Sequence, residues 1–349
     1  MPVLYYKPEG IDISSMATNY TYTDAMAQHF VQCQLCPQNS QFYCKPCEVR
    51  LCEGCVGIHL QKKSPEAHQF IHYHKLWKNR KLMSEPEVVS IVTCPYTNML
   101  DIARWGGSKF YVCSTLSRHI HKFDFRKSEG VDNSLAPGWP RRLATFGEDI
   151  IFTERNENDV KILTKNGEFK TLFSTADWSA RGIGCTASGH IMLGLQKLKT
   201  GKVAIFDKAG KVLKEIVHDK QGKALYSNPY YVIENKNGDF CATDIVLSAV
   251  VVVDSDGGFK FTYTGNPSVD GRFDPHGIAA DSLSNLVIAD WITRQLHLID
   301  ENGHFLRYFD FFPNKFMSES PTGLCIDSQD LLFVCGYDSD KVKVMKYLH

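Results

Sequence analysis

Six cysteines and two histidines lie in one short window of this sequence, and their spacing suits metal binding. The cysteines form three Cys-x2-Cys pairs and the histidines follow them, at Cys33, Cys36, Cys44, Cys47, Cys52, Cys55, His59 and His68. Two thiolates on one tight turn face a single ion, and eight such ligands make two tetrahedral sites of four, the closed geometry of structural zinc. A disulfide framework and a redox pair are the alternatives.

The composition of the chain favours metal over these alternatives. The chain has 349 residues, a formal net charge of zero and 43% hydrophobic residues, as is typical of a soluble globular protein. Its first residues contain no apolar run typical of a signal peptide, and no stretch reaches the ~18 to 20 apolar residues of a membrane span. We therefore expect a cytoplasmic protein, in which clustered cysteines bind metal rather than form disulfides.

The order and spacing of these ligands resemble the B-box zinc finger of tripartite-motif proteins. The resemblance implies a cross-brace of two zinc ions, the first held by Cys33, Cys36, Cys52 and Cys55, and the second by Cys44, Cys47, His59 and His68. His72 and His74 follow closely, but the letters HQF at 68–70 match the closing ligand of the family. Both sites are then full, so we expect the zinc to be structural.

The rest of the chain repeats one pattern of short strands. A typical unit contains PHGIAA (275–280), LVIADW (286–291), QLHLIDE (295–301) and NGHFLRYF (302–309). Six such units, at a period of roughly 40 to 50 residues, predict a mainly β fold, a six-bladed β-propeller. The sixth unit ends at His349 after three strands, so we expect VVSIVT (88–93) to supply its outer strand and close the ring.

The best-formed unit, 274–309, resembles an NHL repeat, and 321–347 resembles one more loosely. Together with the B-box, this resemblance indicates a protein of the tripartite-motif class. We predict a flexible N-terminus (1–29), a B-box (30–72), a linker (73–87) and the propeller (88–349). Residues 1–32 contain no cysteine, so the resemblance does not extend to the RING domain of the class. Any role in ubiquitin ligation is then expected to need a RING domain supplied by another protein.

Alignment of the six units places a set of side chains around the mouth of the central channel. This set combines arginines with exposed rings: Arg141, Arg181, Tyr230, His276, Trp291 and Tyr337. Guanidinium groups and flat rings suit a protein partner or the bases of single-stranded RNA. The near-neutral charge favours protein, because phosphate binding normally needs a clearly basic domain.

Enzyme activity is not expected from the sequence. The aligned mouth positions contain no carboxylate and only one histidine, whereas a catalytic zinc needs about three ligands and calcium needs several oxygens. The cysteines outside the first window lie in or beside predicted strands, where buried thiols act as small apolar residues. These are Cys94, Cys113, Cys185, Cys241, Cys325 and Cys335.

Overall fold

A computed structural model of the chain describes residues 35, 42–44, 49–60, 70–72, 80–127, 129–266, 272–310 and 319–349. In the N-terminal part, three short strands and one helix are described: β1 (Phe42–Cys44), β2 (Val49–Leu51), α1 (Glu53–Leu60) and β3 (Phe70–His72). The strands form an antiparallel sheet in the order β2-β1-β3. Cys55 and His59 lie four residues apart on α1, so their side chains project from the same side of the helix.

The remaining strands form six four-stranded antiparallel sheets, the blades of a propeller. Blade 1 contains β5 (Met99–Arg104), β6 (Lys109–Ser114), β7 (Ser117–Asp124) and β8 (Glu129–Leu135). Blade 2 contains β9 (Pro140–Phe146), β10 (Asp149–Glu154), β11 (Asp159–Leu163) and β12 (Phe169–Ser174). Blade 3 contains β13 (Ser179–Cys185), β14 (Ile191–Lys197), β15 (Thr200–Phe206) and β16 (Val212–Ile216).

The last three blades follow the same order from the inner strand outwards. Blade 4 contains β17 (Pro229–Glu234), β18 (Phe240–Asp244), β19 (Ala249–Val253) and β20 (Phe259–Tyr263). Blade 5 contains β21 (Pro275–Ala280), β22 (Leu286–Asp290), β23 (Gln295–Ile299) and β24 (Phe305–Asp310). Blade 6 contains β25 (Ser320–Ile326), β26 (Leu331–Tyr337), β27 (Lys341–Leu348) and β4 (Leu82–Thr93).

The ring is closed by β4, which confirms the strand predicted over 88–93. This strand pairs antiparallel with β27, in a register that sets Val92 opposite Val342. It begins at Leu82, so it takes in residues assigned to the linker 73–87. Arg80, just before the strand, forms a 3.0 Å salt bridge with Asp330 and donates to the carbonyl oxygen of Gln329. The boundaries of the predicted segments otherwise stay predictions.

The core lies between neighbouring blades. The middle strands are covered on both faces, as in β19, where all five residues are buried. Outer strands are more exposed, as in β20, where only the last residue, Tyr263, is buried. One cluster joins Val203 and Ile205 of blade 3 to Val251 and Val253 of blade 4. Burial of such β-branched side chains at about 25 cal/mol per Å² is the main force that holds one blade against the next.

Tight turns with an aspartate at their start join the third and fourth strands of several blades. Asp254 accepts hydrogen bonds from the backbone N–H groups of Asp256 and Gly258 through the same carboxylate oxygen. Gly257 has a φ of 91°, which favours glycine. Asp281 and Asp290 cap turns in the same way, since each accepts a backbone N–H group from the residue two positions further on.

Candidate binding site at the channel mouth

The structure describes half of the predicted zinc ligands. Cys44, Cys52, Cys55 and His59 are buried, and Leu51 packs with Cys52 and Cys55 in a small core. Cys33, Cys36, Cys47 and His68 lie outside the described residues. Within the described residues, no group of three or more metal-binding side chains is arranged to hold an ion. The two zinc sites therefore stay a prediction.

The structure brings the predicted mouth residues together on one side of the propeller. Arg141, Arg181, Tyr230 and His276 stand at or near the start of the inner strands of four successive blades, 2 to 5. Trp291 directly follows β22, and Tyr337 ends β26. All six side chains are half-buried. A set scattered over some two hundred residues thus forms a single arc across five blades.

Four of these residues form a continuous aromatic wall. The rings of Tyr230 and His276 meet edge to face with centroids 5.4 Å apart. His276 stacks on Trp291 at 4.7 Å with an angle of 21° between the rings, and Trp291 contacts Tyr337 at 5.1 Å. Contacts between rings at these distances contribute favourable free energy in addition to that of burying apolar area. The wall is therefore a pre-formed surface of flat rings.

Guanidinium groups continue the arc beyond Tyr230. The Arg141 guanidinium lies 5.4 Å from the centre of the Tyr230 ring and hydrogen-bonds its hydroxyl. Arg181 donates from Nε to Oε1 of Gln196 at 2.7 Å, which holds its guanidinium in place. We call these six residues, Arg141, Arg181, Tyr230, His276, Trp291 and Tyr337, the mouth surface.

Below the mouth surface, three large side chains fill the propeller axis. Arg142 is 1% exposed, and its guanidinium lies 4.2 Å from the Tyr230 ring and 4.0 Å from the Tyr231 ring. Tyr231 donates its hydroxyl hydrogen to the carbonyl oxygen of Leu100, across the axis. Asp101 is also buried, and its carboxylate accepts the backbone N–H groups of Ile102 and Leu143. These buried side chains form a floor beneath the mouth surface.

Glycines in the other three blades let each inner strand lie close to the backbone of the next blade. One position after the residue that aligns with Arg141, blades 1, 2 and 4 carry the floor residues Asp101, Arg142 and Tyr231. At the same position, blades 3, 5 and 6 carry Gly182, Gly277 and Gly323. A Cβ at Gly277 would lie 2.1 Å from the carbonyl oxygen of Thr322, and one at Gly323 would lie 2.9 Å from Oδ1 of Asp101. The floor residues were not identified from the sequence. A signal for them exists, because the aligned inner strands carry either a polar residue or glycine at the position that follows the mouth residue.

The floor also changes the ionisation of its neighbours. The nearby Arg142 guanidinium, with help from Arg141, lowers the pKa of Tyr230 to about 8 although burial opposes it. Burial, and then Arg142, lowers the pKa of His276 to about 3, so this imidazole is neutral at physiological pH. Burial raises the pKa of Asp101 to about 6. Perturbed groups that converge in one concave surface are characteristic of functional sites.

A second group of ionisable residues lies inside the propeller. The hydroxyl of Tyr263 in blade 4 contacts Nδ1 of His297 in blade 5 at 2.8 Å, and Nε2 of His297 lies 3.4 Å from Oδ2 of Asp290. All three residues are buried. Because the blades cover it from solvent, this network joins blade 4 to blade 5 rather than contacting a ligand.

A cavity of about 580 Å³ opens beside the outer strands of blade 1, and its lining includes His119 and His121. Nδ1 of His119 and Nε2 of His121 both contact the Ser117 hydroxyl, at 3.2 and 3.5 Å. Burial lowers the pKa of His121 to about 4. The two imidazoles thus already share a local hydrogen-bond partner.

The cysteines of the propeller behave as buried apolar residues. None of the six forms a disulfide, and burial raises the pKa of each thiol, to about 12 for Cys185 and Cys335. A raised pKa keeps the thiol protonated and unreactive. This agrees with the expectation drawn from their positions in the strands.

Comparison with solved structures identifies the fold. Streptogramin B lyase shares 16% sequence identity with this chain at a TM-score of 0.54, over 78% of this chain and 99% of that one. The calcium-binding protein regucalcin of Agrobacterium tumefaciens shares 12% at a TM-score of 0.59, over 75% and 94%. The structure of a nidogen/laminin complex matches at 16% and 0.54, over 66% and 85%. At these identities the similarity shows the fold alone, the six-bladed β-propeller.

No family model and no curated protein matches the sequence. The comparisons therefore support the predicted propeller and give no evidence for the B-box or the tripartite-motif class. Within the described residues, no helix is long and apolar enough to span a membrane.

The expectation that this chain is not an enzyme is contradicted by solved structures that share its fold. It rested on the lack of a recognisable RING domain and of a metal or catalytic set at the channel mouth. The structures that share the fold include streptogramin B lyase and, at 14% identity and a TM-score of 0.56, virginiamycin B lyase from Staphylococcus aureus. The fold thus occurs in enzymes, although such identities indicate neither a reaction nor a substrate for this chain.

Proposed function

We propose that this chain is a recognition protein whose propeller binds a partner protein at the mouth surface. The observation that supports this most strongly is the unbroken series of contacts from Arg141 through Tyr230, His276 and Trp291 to Tyr337. Five blades supply this surface, so its shape is fixed by the ring. Arginine, tryptophan and tyrosine are the residue types that contribute most to protein interfaces.

RNA is the alternative ligand for the same surface. Stacking of bases on aromatic rings is worth roughly 1 to 3 kcal/mol per base, and arginines contact phosphates. Against RNA stands the formal net charge of zero, because phosphate binding draws its affinity from many basic contacts. The nidogen/laminin structure supports the protein alternative, since it places a propeller of this fold in a protein complex.

For the N-terminal segment we propose a two-zinc B-box, which would make the chain a cytoplasmic adaptor in ubiquitin-linked assemblies. The spacing of the eight ligands supports this, and so does the burial of the four that are described. Ubiquitin transfer in such an assembly would use a RING domain, which we propose is supplied by another protein.

Affinity capture with the full chain tests the proposed binding. Arg141→Ala and Trp291→Ala are expected to lower recovery of the specific partner by about tenfold or more, since central interface residues contribute roughly 1 to 3 kcal/mol each. Arg126→Ala and Phe259→Ala are matched controls, because both side chains are exposed and lie away from the mouth surface. Nuclease treatment is expected to leave recovery unchanged.

Two results would contradict the proposal. If the mouth variants retain the partner as well as the controls do, binding occurs elsewhere on the chain. If recovery disappears after nuclease treatment, the ligand is RNA.

A further inference from the structure

Positive charge is concentrated at one end of the mouth surface. Arg141 and Arg181 are each close enough to Arg142 for its charge to lower their pKa, in addition to the effect of burial; the pKa of Arg141 falls to about 10. No carboxylate is among the charges that act on Arg141 or Arg181 within the described residues. The Arg141 and Arg142 guanidinium groups lie 5.4 and 4.2 Å from the centre of the same Tyr230 ring. Two half-buried arginines, Arg141 and Arg181, thus face repulsion from a third that is fully buried.

Among the described residues, the carboxylate that acts on this cluster is already engaged below it. Asp101 is among the charges that raise the pKa of Arg142, so it offsets the most deeply buried guanidinium. Its two oxygens accept backbone N–H groups in blades 1 and 2, at 2.9 Å each. The acidic group beside Arg141 and Arg181 is the hydroxyl of Tyr230, which is mostly protonated at neutral pH, so within the described part of the chain neither arginine faces a carboxylate.

Both arginines keep hydrogen-bond donors for a ligand. A guanidinium has five N–H groups. Within the described part of the chain, Arg181 uses Nε for Gln196 and Arg141 contacts the Tyr230 hydroxyl. The remaining N–H groups belong to side chains that are held in place and half-exposed. Such an arrangement matches the paired oxygens of a carboxylate or a phosphate.

We infer that the mouth surface binds a peptide with an anionic side chain, a carboxylate or a phosphate, next to an aromatic ring. The anion lies between Arg141 and Arg181, and the ring packs on the wall of His276, Trp291 and Tyr337. This inference rests on the proposed function and specifies the class of partner. A peptide fits better than RNA because two arginines with spare donors can hold one anion, whereas RNA needs a path of basic residues along several phosphates.

Titration calorimetry of the full chain with short synthetic ligands tests the inference. The probes are four blocked peptides of equal length, containing Glu-Tyr, phosphoserine-Tyr, Gln-Tyr or Glu-Ala, and a uridine decanucleotide. We expect the Glu-Tyr peptide, the phosphoserine-Tyr peptide or both to bind at least tenfold more tightly than the Gln-Tyr and Glu-Ala peptides. Comparison of the first two peptides shows which anion the site prefers. Arg181→Ala should remove the difference between the preferred anion and Gln, and Trp291→Ala the difference between Tyr and Ala.

Arg126→Ala is the control for a general loss of positive charge, and Arg181→Gln is a second variant in case Arg181→Ala fails to fold. Binding of the Gln-Tyr peptide as tight as that of both the Glu-Tyr and the phosphoserine-Tyr peptide overturns the anion site. If partner capture still depends on Trp291, the proposed function survives that result. Tighter binding of the uridine oligonucleotide than of either anionic peptide overturns the choice of a peptide. Absence of both peptide binding and mouth-dependent capture overturns the inference and the proposed function together.

Discussion

Closure of the ring by β4 predicts that neighbouring residues of this strand differ sharply in their contribution to stability. Val92 is fully buried, in a core that contains Phe110 of blade 1 and Val342 of blade 6. Ile91, on the opposite face of the same strand, is 46% exposed. Val92→Ala removes two buried methyl groups, and Ile91→Ala removes a larger but half-exposed group.

The expected magnitudes follow from burial. At ~0.8 kcal/mol per buried carbon, Val92→Ala loses about 1.6 kcal/mol, and the cavity left behind raises the cost to roughly 2 to 3 kcal/mol. For a domain of this size, that cost lowers the Tm by about 4 to 10 °C. Ile91→Ala should change the free energy of unfolding by less than about 1 kcal/mol.

Urea and thermal unfolding of the full chain, followed by tryptophan fluorescence, measures the two effects. Four of the five tryptophans lie between Trp105 and Trp291, so the signal reports mainly on the propeller. Equal destabilisation by the two variants, or a larger effect of Ile91→Ala, would show that β4 does not close blade 6 in the described register.

Three further predictions concern the axis, the mouth surface and the metal. Gly277→Ala should destabilise the propeller by about 3 kcal/mol or more, because its Cβ would lie 2.1 Å from a backbone oxygen. The control Gly130→Ala should cost under about 0.5 kcal/mol, because its Cβ would meet only a ring carbon at 3.7 Å. Similar urea unfolding midpoints for the two variants would refute this prediction. An ultraviolet difference titration should show one tyrosine ionising near pH 8; Tyr230→Phe should remove that step, and Arg141→Ala should move it to higher pH, because a guanidinium favours the phenolate. Elemental analysis should find about two zinc ions per chain, and about one after Cys52→Ser. Cys241→Ser, which replaces a buried thiol of blade 4, is the control and should leave the zinc content unchanged. A fully folded chain without metal would contradict the B-box.

The blades were predictable because each is built from local signals. Short apolar strands recur in every unit, and most units add a turn with Asn-Gly, Ala-Gly or Asp-Gly. The observed strands, such as Leu286–Asp290, begin or end within a few residues of the predicted ones. Alignment of the units also identified the mouth residues, because equivalent positions of a propeller converge around one axis.

The floor was not predictable in the same way, because it depends on contacts across the ring. The hydroxyl of Tyr231 meets the backbone of Leu100, which lies far away in sequence. Arg142 of blade 2 likewise lies against the rings of Tyr230 and Tyr231, which belong to blade 4 on another side of the axis. The early start of β4 goes with its pairing to the end of β27, where Leu82 lies opposite Leu348, another contact between residues far apart in sequence. No local pattern carries such information.

The glycines of the inner strands have a consequence for how this sequence can vary. A Cβ at Gly277 would lie 2.1 Å from the backbone oxygen of Thr322, and one at Gly323 would lie 2.7 Å from the Cα of Asp101. Both contacts are with the backbone of the next blade, so a smaller side chain in that blade cannot relieve them. Related sequences should therefore keep glycine at these two positions. They can vary instead at Asp101 and its neighbours on the axis, where the clash of a new side chain is with other side chains.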